Sequence, residues 1–326
     1  MKNYTAICFF LAVAMILCPL VSVSHAKDTF SSNVSGEKPE FTEEIPVPTP
    51  TENVKILSVG SGSVTELSLR EYLIDSVAAE IGPTAEAEAI KAQAVACHSL
   101  LLYTKAHKTE SLGNADISDK AQKYLTEEEQ KEKWGDKYSA YRSKLEQCVD
   151  EVQNKVLCFE DEPIMATFFS VSNGKTENAE NVWGKSIPYL VSVESPSDKL
   201  SPNFVSSVEL TTKEAKAILE KNGAKCEGDP KKWIGKSEQN NTGTVKSLFF
   251  GGKEFSGTEI RTMFSLKSAT FSLKYDDGKF TFTVKGYGHG VGMSQAGANA
   301  MAKSGNTYDE ILLHYYKNAV LSTTEQ

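Results

Sequence analysis

The chain has 326 residues, 40% of them hydrophobic and 24% charged, which is ordinary globular composition. That length admits one large domain or two smaller ones. A net charge of −8 argues against a nucleic-acid partner and leaves neutral or partly stripped polymers open.

Lys2 precedes an apolar run, Tyr4–Val23. At about 1.5 Å per residue it reaches roughly 30 Å, the thickness of a bilayer core. It exceeds the usual signal-peptide core of about 7–15 residues, which favours a retained anchor, although Ser24–Ala26 resembles a cleavage site. Residues 1–26 are therefore expected to place the remainder outside the cytoplasm, anchored or secreted. Residues 27–53, rich in Pro, Ser, Thr and Glu, read as a disordered linker. The expected body spans 54–320, with 321–326 as a tail.

Within the body, "SVTELSLREYLIDSVAAEI" joins a short alternating stretch to a helical one. After the Gly82-Pro83 break, Thr84–Ala106 carries Ile90, Ala94, Cys97 and Leu101 at helical spacing, and Thr84 is placed to cap it. A charged surface helix or pair of helices follows. "KVLCFEDEPIMATFFSVS" reads as two strands around an Asp161-Glu162-Pro163 turn. Thr211 and Glu214 form a capping box for a helix stopped at Gly223. A hairpin turns at Asp277-Gly278 with Phe280, Phe282 and Val284 on its buried face. Two helices, from about Ser294 and Thr307, end the chain. Short strands with segregated helices predict an α+β fold. Of six cysteines, Cys148 and Cys158 are candidates to pair, with connectivity open. No CxxC or HExxH spacing supports a metal site.

Glu80 follows small and branched apolar residues at the lip of the Gly-Pro break. Desolvation there would raise its pKa and suit it as a proton donor. The plainer alternative is a helix-end glutamate in solvent. Gln93 and His98 lie on the next helix, and a Cys97–His289 hydrolase pair is conceivable without local support. Ser172, Lys175, Thr176 and Glu177 crowd a polar turn, with Trp183 behind as a platform for a sugar ring. In "YGHGVGMSQAG" the glycines around His289 imply close approach by protein or ligand, and Ser294 and Gln295 open the following helix.

The blocks "SLREYLIDSVAAEIGPTAEAEAIKAQAVACHS", "FFSVSNGKTENAENVWGKSIPYLVSVESPSD", "SGTEIRTMFSLKSATFSL" and "GYGHGVGMSQAGANAMAKSGNTYDEILLHYY" together resemble the stage II sporulation protein D family. The resemblance implies a two-lobed α+β domain with a central groove, acting as a lytic transglycosylase on peptidoglycan glycan strands. It implies Glu80 as the acid/base. It also implies Gln93, His98, Ser172, Lys175, Thr176, Glu177, Trp183, His289, Ser294 and Gln295 around the substrate. His98 stands where the family commonly has arginine, which would leave a weaker, pH-dependent charge to orient the substrate or Glu80. No cofactor is implied, and residues 114–133 lack the Cys and His of the metal-binding relatives. The implied partners are an amidase, stage II sporulation protein P, and a membrane scaffold protein, with an amidase-enhancing role as the nearest alternative.

Overall fold

The computed structural model describes residues 53–324; the apolar run, the linker before Asn53 and the last two residues lie outside it. Ser68 starts the helix Leu69–Glu80 by accepting the Glu71 N–H at 3.2 Å. The helix buries Leu69, Tyr72, Leu73, Ile74, Val77 and Ala78. The long helix Ala87–Ala106 runs through the middle of the principal core and is buried on nearly every side from Ala89 to Leu102. Its small residues make this possible, because neighbouring elements can approach an alanine-rich helix from all directions. It starts two residues later than a Thr84 cap predicts, with Glu86 at the N-cap and no side-chain capping bond. Pro83 and Thr84 are instead spent in the turn after Gly82.

The charged segment forms two helices, Glu127–Trp134 and Tyr138–Asp150, the first held by a Thr126/Glu129 capping box. The strand Lys155–Phe159 pairs with Glu162–Pro163 through Glu160 and Asp161, both at positive φ. That turn sits one residue earlier than the sequence suggests, because a two-residue loop leaves Pro163 at a strand edge, where its missing N–H costs nothing. The expected long second strand is reduced to Phe168–Phe169, which pairs in parallel with Met293–Ser294. Val320–Thr323, expected to divide between body and tail, forms one strand along the other edge of Lys155–Phe159.

Residues 205–285 form a second hydrophobic core of their own. Val205 pairs with Lys285, so the chain enters and leaves this segment at neighbouring points. The strands Phe271–Asp276 and Lys279–Lys285 turn at Asp277-Gly278, both at positive φ, and Val205–Thr211 lies alongside. Phe280, Phe282 and Val284 are fully buried there. They pack with Phe250, Phe264 and Phe271, the Phe264–Phe282 rings lying 4.9 Å apart. The helix Thr212–Lys221 carries the Thr211/Glu214 capping box. The architecture is thus mixed α+β with several small sheets.

Cys97, Cys148, Cys158 and Cys226 are all buried free thiols. The candidate pair is separated: Cys148 belongs to the principal core and Cys158 to a small cluster with Leu102 and Val156. No helix among the described residues is long and apolar enough to cross a membrane.

Candidate active site

Glu80 ends its helix at the rim of an open cleft of about 240 Å³. Ile81, Ser170, Asn203, Gln295 and Asn299 help to wall the cleft, and Glu80 is the one ionisable group in its lining. The carboxyl group is half-buried. Its Oε1 accepts the Lys123 N–H at 3.1 Å, and the Gln295 side chain supplies a second hydrogen bond. Burial raises its pKa, and these hydrogen bonds together with the Lys123 charge oppose the rise without cancelling it. Gln295 also donates to Gln93 Oε1 at 3.2 Å, and Gln93 donates to the Cys97 thiol at 3.4 Å. This chain of amides fixes the orientation of Gln295 from inside the core. It also makes Cys97 a wholly buried, hydrogen-bonded thiol whose pKa burial pushes far up, which removes it as a nucleophile.

The glycine-rich stretch is approached closely by the protein itself. A Cβ on Gly288 would lie 2.6 Å from the Phe169 Cβ, and one on Gly292 would lie 2.0 Å from the Thr167 carbonyl oxygen. Both residues have positive φ, so the chain can pass the strand at Phe168 only as glycine. Gly292→Ala is expected to cost of order 1–3 kcal/mol from backbone conformation alone, with the clash in addition. Urea unfolding of the variant checks this. His289, between these glycines, has its Nδ1 accepting the Val291 N–H at 3.1 Å. The ring proton therefore sits on Nε2, and the ring also bonds to the Phe168 backbone. Its ring lies 5.6 Å from that of Trp183 and 5.7 Å from that of Phe169. Burial, helped by the Arg261 charge, pulls its pKa down to about 4, so it is neutral near pH 7.

Residues 58–159 match the family model described as "Stage II sporulation protein". The chain is 36% identical to stage II sporulation protein D of Bacillus subtilis over 309 residues, covering 93% of this chain and 87% of that protein. The chain belongs to the stage II sporulation protein D family. The Bacillus amyloliquefaciens member is also 36% identical, over 84% of this chain and 79% of its own length. An amidase enhancer of Bacillus subtilis is 28% identical over 56% of this chain and 33% of its length.

In this member of the stage II sporulation protein D family the expected site residues divide into three groups. Gln295 shares the cleft with Glu80. Ser172, Lys175, Glu177 and His289 wall an adjoining pocket of about 20 Å³, which touches the cleft only through Val171. That volume holds about one water and no sugar, while Lys175 also lines a separate pocket of about 350 Å³. Trp183, expected as a sugar platform, is half-buried with its ring against His289. Glu177 is buried with both oxygens engaged. Oε1 accepts from the Asn178 N–H and the Asn181 amide, and Oε2 from the Thr242 and Thr244 hydroxyls. It fastens the polar turn to the inserted segment.

Gln93, His98, Thr176 and Ser294 make up the third group, each at most 1% exposed. His98 meets the Lys155 carbonyl at 3.2 Å, and burial pulls its pKa down to about 4. The pH-dependent orienting charge expected at this position is therefore replaced by a neutral ring inside the core. Thr176 accepts the Val193 N–H at 2.9 Å, and Ser294 caps the helix Gln295–Lys303. Ser172 gives its N–H to the buried Asp198 at 2.7 Å, so it too braces the wall. The sequence reading missed Lys123, which acts through its backbone and leaves no residue-type signal. It also missed Asn299, which the i,i+4 spacing from Gln295 could have found.

Proposed function

We propose that this protein is a lytic transglycosylase that cleaves the β-1,4 bond between N-acetylmuramic acid and N-acetylglucosamine in peptidoglycan glycan strands. The observation that carries the reading is a lone carboxyl group, raised in pKa, in a cleft whose other lining groups are not ionisable. Hydrolytic glycosidases use two carboxyl groups, about 5–9.5 Å apart. A transglycosylase needs one, used twice.

Protonated Glu80 gives its proton to the glycosidic oxygen, and the bond from that oxygen to the muramic C1 breaks. The muramic C6 hydroxyl then bonds to C1 and returns its proton to the Glu80 carboxylate. No water is consumed, and the enzyme leaves in the protonation state in which it began. Lys123 N–H and Gln295 hold the carboxylate while it is charged. Mass analysis of products from peptide-free strands tests the reading. An anhydro end weighs one water less than a hydrolysed end, and products carrying only hydrolysed ends would refute it.

Gln295→Leu removes a hydrogen bond that favours the charged carboxylate, so the Glu80 pKa should rise further. The high-pH limb of the activity profile is expected to move to higher pH, alongside a fall in rate from looser positioning. A pH–rate profile of the variant checks the direction.

The reading includes extracytoplasmic placement by residues 1–26 and partnership with an amidase that strips stem peptides and a membrane scaffold protein. The similarity to an amidase enhancer supports an accessory, wall-binding role as the alternative. Strand binding with no anhydro product in any condition would favour that role.

A further inference from the structure

A second pocket, of about 500 Å³, is walled by Ala79, Lys120, Lys123, Tyr124, Leu125 and Lys133 among others. Two of its wall residues adjoin the acid: Ala79 precedes Glu80, and the Lys123 N–H is the donor on Glu80 Oε1. Its two acidic wall residues are already engaged. Asp119 accepts the Val59 N–H at 3.1 Å, and Glu129 accepts the Thr126 N–H at 2.8 Å in the capping box. The ammonium groups of Lys120 and Lys133 have no hydrogen-bond or ion-pair partner among the described residues, and that of Lys123 acts only through its charge on Glu80. Other lysines do: Lys91 pairs with Glu88 and Glu151, and Lys131 pairs with Glu127 on the same helix as Lys133.

Three lysines against two carboxylates leave this pocket lining with one excess positive charge on a chain of net charge −8, a local excess that an anion would relieve. The proposed substrate offers one kind of anion, the carboxylate. It is the lactyl acid of the muramic sugar where the stem peptide is gone, and the acids of the peptide where it remains. Resting on the reading of Glu80 as a glycan-cleaving acid, we propose that Lys120, Lys123 and Lys133 form a carboxylate-binding subsite that places the muramic side of the scissile bond beside Glu80. The subsite would set the register of the strand, since muramic acid and its carboxylate recur at every second sugar.

The test is equilibrium binding of three strand preparations: peptide-free, peptide-free with the carboxyl groups converted to amides, and peptide-bearing. The proteins are the Glu80→Gln chain, so that strands persist, with and without K120M/K123M/K133M. Methionine keeps the apolar stems and the Lys123 backbone donor. With three exposed ion pairs at about 0.2–1 kcal/mol each, the triple variant is expected to lose roughly tenfold in affinity for acidic strands. It should lose nothing for amidated strands and keep its Tm. A preference for peptide-free strands identifies the lactyl acid as the ligand, and a preference for peptide-bearing strands identifies the stem acids. Equal binding of acidic and amidated strands, or an unaltered triple variant, overturns the subsite. Because binding is read rather than product, a failure of the transglycosylase reading shows separately, as wild-type protein that holds acidic strands and never converts them.

Discussion

Glu80→Gln should reduce the release of anhydro-ended products by roughly 100–10,000-fold, the usual worth of a positioned general acid. Glutamine preserves the size of the side chain and can still accept from Lys123 and Gln295, so the cleft should keep its shape. What it lacks is the proton. The wild-type rate should fall as pH rises through the raised pKa of Glu80, because only the protonated acid can start the reaction. Product release unchanged in the purified variant would remove Glu80 from the chemistry altogether.

The same substitution should stabilise the fold. A carboxyl group with a pKa higher folded than unfolded binds its proton more tightly in the native state. Its stabilising contribution is full at low pH and is lost as pH rises through the folded value. The wild-type protein thus carries a half-desolvated carboxylate near pH 8, and the variant does not. A higher Tm for Glu80→Gln at pH 8, with the gain fading towards pH 4, is the expected calorimetric signature.

Arg142→Met should be the most destabilising of the substitutions considered, by about 3–5 kcal/mol, because it strands a buried acid. Arg142 binds Glu71 through two contacts of 2.7 Å, Asp75 at 3.1 Å and Glu146 at 3.0 Å. Asp75 is 3% exposed and also accepts from Gln130 at 2.7 Å. Burial, with Glu71 beside it, pulls Asp75 up to about 7 in spite of Arg142 and Gln130. Without the guanidinium that value should climb further, so the loss should be larger at pH 8 than at pH 5. Urea unfolding at the two pH values measures both. Adding Asp75→Asn should recover part of the loss, since the cost lies in the unpaired charge. A cost below about 1 kcal/mol at pH 8 would mean that the network relaxes without Arg142.

This network also reaches the site. Leu125 N–H donates to the Asp75 carbonyl at 3.1 Å, and Gln130 donates to the Leu125 carbonyl at 2.7 Å. The loop that presents Lys123 to Glu80 is thereby pinned to the Glu80 helix itself. Arg142→Met should therefore lower activity even at temperatures where the protein stays folded.

Much of the local structure was readable because its causes are local. The Thr211/Glu214 and Thr307/Glu310 boxes, the Asp277-Gly278 turn and the alternation of Phe280, Phe282 and Val284 each need only neighbouring residues, and each is present. Reading failed where distant partners compete. Thr84 had the chemistry of a cap, but the turn after Gly82 took it. Residues 164–171 had the composition of a strand, but they pair only in pieces, Phe168–Phe169 with Met293–Ser294 and Val171 with Tyr287, both more than 100 residues later.

By itself the sequence determined the family, the helix and hairpin signals, and a carboxylate at a helix end preceded by small apolar residues. Tertiary structure decided which polar residues line the Glu80 cleft. Glu177, His289, Thr176 and Ser294 have the chemistry of ligand-binding groups, and their hydrogen bonds are instead met by the protein. Lys123 reaches Glu80 through an N–H that almost every residue carries. A polar side chain's role depends on which partner satisfies it, and partners far apart in sequence meet only in the fold.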